Sequence, residues 1–190
     1  MHRHVKALAI AGAVALVWAP VQARADGFIV PWFGGTFSRS SEIRKLDNGT
    51  TSVGAALGTM GGGGLLGFDL DIGFTPNFFG SKSVVGTNNV ITVTGNLIVG
   101  PSIETSSGRG VRPYGNFGVG LIRSKAGSTA DNGFGWNAAG GLMAFFSSSI
   151  GLRGDIRYFH TVNNTSASNT VLLKPGKFYF WRGYIGVVFR

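Results

Sequence analysis

A chain of 190 residues with 32 glycines, 15 phenylalanines, no cysteine and only 13% charged residues falls outside several broad classes. Glycine is more than twice its ordinary share of ~7%, but 12% aromatics give more apolar area than a disordered Gly/Ser chain carries, and no Gly-X-Y period supports a collagen helix. The missing cysteine removes disulfide scaffolds, zinc ribbons, iron–sulfur sites and thiol nucleophiles together. The formal charge of +9 points to an anionic partner only after its source has been located.

Residues 1–25 have the three parts of a secretory signal peptide. Arg3 and Lys6 make a short cationic start, residues 7–19 are an apolar run, Pro20 breaks it, and Ala23-Arg24-Ala25 forms a small-residue cleavage site before Asp26. The other interpretation is a membrane anchor. At 1.5 Å per residue the run reaches about 20 Å, short of the ~30 Å hydrocarbon core. Cleavage leaves a single domain, 26–190, with 14 basic and 8 acidic residues.

In that domain the apolar residues recur with period two, the strand period. In chain order the segments 28–37, 52–60, 66–75, 90–100, 111–123, 133–146, 151–160 and 179–189 predict eight strands. The clearest is 66–75, where Leu66, Phe68, Leu70, Ile72 and Phe74 oppose Gly67, Asp69, Asp71, Gly73 and Thr75. In 90–100, Ile91, Val93, Leu97 and Val99 oppose Thr92, Thr94, Asn96 and Ile98. In 151–160, Leu152, Ile156 and Tyr158 oppose Arg153, Asp155, Arg157 and Phe159. In 179–189, Tyr179, Trp181, Ile185, Val187 and Phe189 oppose Phe180, Arg182, Tyr184 and Val188. Lengths of about 9 to 14 residues exceed the globular mode of 5–6 and suit a tilted membrane strand.

Connections 38–51, 76–89, 124–132 and 161–176 are long and polar, whereas 61–64 and 147–149 are tight; 101–110 is long where a tight turn is expected. Such alternation predicts an all-β, eight-stranded antiparallel up-and-down transmembrane β-barrel with both chain ends on the periplasmic side. Closure is required because an open sheet edge is not tolerated in hydrocarbon. Gly95, Gly118, Gly120, Gly140 and Gly141 are expected to relieve crowding in a narrow, curved wall. Aromatics near strand ends predict two interfacial belts, with Phe37, Phe74, Phe78, Phe79, Phe134, Trp136, Tyr158, Tyr179 and Trp181 at the loop end and Phe145, Phe146 and Phe189 at the turn end.

The segments 67–79, 95–100, 112–115 and 151–159, in that order and spacing, resemble the small eight-stranded outer-membrane β-barrel proteins of the OmpA-like/OmpX-like superfamily. The resemblance implies an outer-membrane location, Gram-negative envelope lipid and lipopolysaccharide as surroundings, and insertion by the barrel-assembly machinery. Members usually end in an aromatic residue that this machinery reads; here Phe189, in the outward phase, is followed by Arg190.

The strongest side-chain constellation is inward. Strand phase places Asp69, Asp71, Arg153, Asp155, Arg157 and Arg182 in the lumen, three acids and three bases. An eight-stranded interior is just wide enough for side chains, and buried charges must pair. A salt-bridged plug is the expectation; a paired-carboxylate catalyst or a metal site is the sharper alternative. His160, the one histidine after residue 25, matches poorly with a lipid A deacylase, an enzyme class on this fold with a histidine, a serine two residues later and a later acid. Position 162 is Val162, and no acid follows Asp155. No cofactor motif is present: residues 61–64 lack the Gly-Lys-Ser/Thr of a phosphate cradle. The basic excess is assigned to loops, where Arg39, Arg44, Lys45, Lys82, Arg123, Lys125, Lys174 and Lys177 face Glu42, Asp47 and Asp131. This favours a solvated rim, or contact with lipopolysaccharide phosphates or an extracellular anionic ligand, and not nucleic acid.

The function expected from these features is a non-enzymatic integral outer-membrane barrel with a structural and surface-interaction role. The alternative is a narrow porin-like channel for ions or very small solutes. Behind these stand a lipid-modifying enzyme and a soluble lipocalin-like binder, the latter requiring the apolar face to point inward.

Overall fold

The computed structural model of the chain describes residues 26–41, 45–46, 49–61, 65–79, 86–104, 108–127, 129–164 and 178–190; the candidate signal peptide and most of the 161–176 connection lie outside them. The alternating pattern becomes eight long strands: β1 Asp26–Ser41, β2 Thr50–Met60, β3 Leu66–Pro76, β4 Asn88–Val99, β5 Gly110–Ala126, β6 Thr129–Phe145, β7 Ile150–Asn164 and β8 Phe178–Phe189. Each pairs antiparallel with its sequence neighbour. The sheet closes when β1 meets β8, from Ile29↔Phe189 to Ser41↔Phe178. Each backbone ladder is thus continued around the wall, as a membrane-spanning sheet requires.

Successive Cβ atoms leave a strand on opposite faces. In β3 this gives strict alternation, with Leu66, Phe68, Leu70, Ile72 and Phe74 exposed and Asp69, Asp71 and Thr75 buried. The apolar face points outward, so the inverted, lipocalin-like arrangement is not the one adopted.

Three connections differ from expectation. Residues 124–132 are not a long loop: β5 and β6 stay paired up to Ala126↔Thr129. Gly127, at φ +60°, makes the tight reversal that a side chain would resist. Asp131 is consequently a buried strand residue, and Arg123 and Lys125 belong to the wall of β5. The 101–110 connection folds back, its Ile103–Glu104 pairing with Val111 and Gly110. Near the top of β1, Lys45–Leu46 pairs with Ser40 and Arg39.

The glycines divide by face. Inward Gly118 and Gly120 are pressed by Asn96 and by the Val93 carbonyl, so neither has room for a methyl group. Gly95 and Gly140 face open space, and crowding does not account for them.

Candidate functional site: the charged lumen

All six charged side chains assigned to the lumen are buried, and Arg153, Arg157 and Arg182 have no exposed surface. Strands β3, β7 and β8 bring them together. Arg153 Nη1 donates to Asp69 Oδ2 at 2.8 Å and its Nη2 lies 3.4 Å from Asp155 Oδ2. Arg157 Nη2 lies 3.2 Å from Asp155 Oδ2 and its Nη1 3.7 Å from Asp71 Oδ1. Arg182 Nη2 reaches Asp71 Oδ1 at 2.5 Å, while its Nη1 donates to Thr92 Oγ1 at 3.0 Å. Charge is matched at hydrogen-bond range, as burial in a low dielectric demands.

Aromatic and amide groups complete the network. Tyr114 donates to Asp155 Oδ2 at 2.8 Å and accepts from Arg153 Nε at 2.7 Å. Tyr184 donates to the same Asp155 oxygen at 3.3 Å, and Trp32 Nε1 donates to Asp71 Oδ2 at 3.1 Å. Asn96 donates to Asp69 Oδ1 at 2.6 Å and accepts from Asn137 at 2.8 Å. The Arg182 guanidinium also lies 4.4 Å from the Trp32 ring centroid and 4.6 Å from that of Phe159, a cation–π sandwich. Strand phase was sufficient to mark Tyr184 as inward. The roles of Trp32 and Tyr114 were hidden because their partners lie 39 and 41 residues away.

Two further ions are interior. Arg112 is buried toward the turn end, donating to Ser102 Oγ at 2.9 Å, and Asp131 is buried toward the loop end. The alternation of β5 pointed to Arg112; Asp131 was obscured by treating its segment as a loop. With these two the buried set holds four acids and four bases among the described residues.

Apolar layers bound this network on both sides. At the turn end, Phe28, Val30, Ala56, Met60, Ile98, Met143, Phe145 and Val188 pack with Tyr114. At the loop end, Phe78, Val90, Ile122, Phe159 and Phe180 form a second cluster, against which Phe79 packs. Phe159 stacks on Phe180 at 4.7 Å, and Phe78 meets Phe180 edge-on at 5.1 Å. Phe78 and Phe145 therefore line the interior instead of joining the outer belts: strand phase turns Phe145 inward, and the turn after β3, with Asn77 at φ +52°, folds Phe78 over the lumen.

Phe79 packs against the inner cluster as well, and the remaining belt residues face out. Phe74, Tyr179, Trp181 and Phe189 are exposed, and Trp136 and Tyr158 are half-buried by one another. Trp136 lies 5.5 Å from Tyr158 and 5.6 Å from His160, and Tyr158 lies 5.2 Å from Trp181. The His160 ring belongs to this outer cluster, with Nδ1 3.4 Å from the Tyr158 hydroxyl.

No protein-family model matches the sequence, and no curated protein does. Solved structures do match. The crystal structure of Neisserial surface protein A is similar over 86% of this chain and 97% of its own, at 17% identity and a TM-score of 0.62. The outer membrane protein OprG from Pseudomonas aeruginosa is similar over 86% of this chain and 94% of its own, at 13% identity and a TM-score of 0.50. In fold, the chain is a closed eight-stranded antiparallel β-barrel similar to these small outer-membrane barrels.

Proposed function

We propose that this protein is an integral outer-membrane barrel with a closed lumen, acting as a structural wall element that presents its loops at the cell surface. One observation carries the proposal: a neutral ion network, in which each of the six charges has an opposite charge within 3.2 Å, lies between two apolar layers, inside a wall whose outer face is apolar. Exposed outward residues such as Phe33, Leu57, Phe68, Leu121, Ile156 and Ile185 would be unfavourable in water and belong in acyl chains. Export by residues 1–25 and insertion by the barrel-assembly machinery are parts of the same proposal.

A narrow pore is the second reading, and one feature favours it. On the β4–β6 side, Thr94 Oγ1, both amide atoms of Asn116 and Asn137 Oδ1 are buried without a hydrogen-bond partner. A file of such groups could escort a small solute. A solute on that route would still have to cross the Phe159–Phe180 layer and the Met60–Met143–Phe145 layer. A catalytic role has less support: His160 faces outward among rings, and its residue-162 neighbour is Val162, with no hydroxyl to activate.

The test is reconstitution of the full chain in a planar bilayer. The expected result is a flat current trace from protein that migrates differently on gels when boiled and unboiled. Discrete current steps would instead establish the pore, and recovery of the protein as a water-soluble species would remove the membrane assignment.

A further inference from the structure

The inner wall is not uniform around its circumference. The six-charge network is built on β3, β7 and β8, whereas the wall between β3 and β7 brings amides and small residues to mid-lumen: Asn96 on β4, Asn116 and Gly118 on β5, Asn137 and Ala139 on β6. Asn116 and Asn137 are 5% and 0% exposed. In register, Asn116 stands opposite Ala139, and Gly118 opposite Asn137. These four make one square of the inner face, with the amides on one diagonal and the small residues on the other. Diagonal neighbours across a sheet lie about 7–8 Å apart, and neither glycine nor alanine reaches far into the space between them. Asn116 Nδ2, Asn116 Oδ1 and Asn137 Oδ1 have no hydrogen-bond partner among the described residues. Buried amide atoms are nearly always satisfied, so three orphaned atoms at one square point to a ligand. The other end of Asn137 is committed. Its Nδ2 donates to Asn96 Oδ1 at 2.8 Å, Asn96 Nδ2 donates to Asp69 Oδ1 at 2.6 Å, and Asp69 Oδ2 accepts from Arg153 Nη1 at 2.8 Å. Asn137 Oδ1 is thus the free end of a hydrogen-bond chain rooted in the ion network.

We propose that this square binds one internal water, which bridges the Asn116 amide to Asn137 Oδ1 and holds the free end of the chain that leads to Arg153. The site rests on the closed lumen proposed above: the amides that would favour a pore as a route form instead a closed pocket. Their chemistry selects the occupant. Asn137 Oδ1 needs a donor, and Asn116 Nδ2 needs an acceptor, so the bound molecule must donate and accept at once. An ion does not fit, because the buried charges already balance and an added one would lie in the lumen without a counter-charge. Water meets both demands, and two polar partners are enough to hold it in a buried site. Its O–H, donated to Asn137 Oδ1, also strengthens the bonds beyond, since hydrogen bonds in a chain polarise one another. Asn116 is then a positioning residue for the Asp69–Arg153 pair, acting through the water, Asn137 and Asn96.

The full chain, labelled with nitrogen-15, is folded into phosphatidylcholine nanodiscs, and cross-relaxation between water and the asparagine side-chain amides is read by NMR. The expected result is a water cross-peak at both Asn116 and Asn137 with the sign of the protein's own cross-peaks, the mark of a water that moves with the barrel. In Asn116→Leu the cross-peak at Asn137 should be lost and the Asn96 side-chain amide resonance should shift. Ala139→Leu keeps both amides but fills the space between them, and should abolish both cross-peaks. Their absence from the parent chain overturns the site, and so does an Asn137 cross-peak that survives in either variant. An unmoved Asn96 resonance in Asn116→Leu overturns the link to the ion network. Failure of the closed-lumen reading looks different: cross-peaks of the opposite sign, from freely exchanging water, accompanied by discrete current steps in a planar bilayer. Protein that never inserts shows as a loss of heat-modifiable migration, which is followed in every sample.

Discussion

The two faces of one wall invert the usual rule of burial. On β3, Asp69 and Asp71 are buried while Leu70 and Ile72 beside them are about half exposed. On β7, Arg153 and Arg157 are fully buried while Ile156 between them is 56% exposed. A water-soluble barrel would be destabilised on both counts. In a membrane the outer face meets hydrocarbon and needs no specific partner. The inner face has no bulk solvent to complete its hydrogen bonds, so each ion needs a defined neighbour. The outside is therefore a statement about composition, and the inside one about geometry.

Substitutions on the two faces should consequently behave differently. The largest effect is expected at Asp155, which faces Arg153, Arg157, Tyr114 and Tyr184 at 2.8–3.4 Å. Asp155→Ala leaves two buried guanidinium groups short of charge and should cost about 3–5 kcal/mol, measured as a lower urea midpoint for the barrel in lipid vesicles. An unchanged midpoint would show that the lumen is wet enough to solvate its own ions. On the outer face, Leu70→Arg at mid-wall should cost about 2–4 kcal/mol in the same assay. The same change at Leu121, near the loop-side boundary, should cost ~0–1 kcal/mol. If the two positions were equally tolerant, the apolar outer face would not be in a bilayer.

A finer cut separates the hydroxyl from the ion pairs. Tyr114→Phe preserves the ring that packs under Arg153 and removes a group that bridges Arg153 and Asp155. The expected loss is about 1.5–3 kcal/mol, the range for hydrogen bonds to charged groups, below that of Asp155→Ala. Equal losses would mean that the tyrosine and not the carboxylate anchors the network. The smallest effect is assigned to the outward Gly140→Ala, whose added methyl meets no atom within 4 Å; its stability should stay within about 0.5 kcal/mol of the parent. At inward Gly118, where Asn96 and a backbone carbonyl occupy the same space, the alanine variant should be measurably weaker.

Alternation along the chain determined by itself which side chain faces which side, since that follows from the period of a single strand. Asp69, Asp71, Arg153, Asp155, Arg157 and Arg182 could therefore be assigned to the lumen with no knowledge of their partners. Turn lengths were less legible. The segment 124–132 is polar like a loop, yet cross-strand pairing carries β5 and β6 through it, and local composition does not reveal a partner strand. What only the tertiary structure decided is height and neighbourhood: Arg182 meets Asp71 across 111 residues and Arg153 meets Asp69 across 84. Closure of β1 onto β8 sets those meetings, as it sets the apolar layers at both ends of the lumen and the gathering of outward rings on β6–β8. Phase is a property of one strand, whereas register and closure belong to the whole ring of eight.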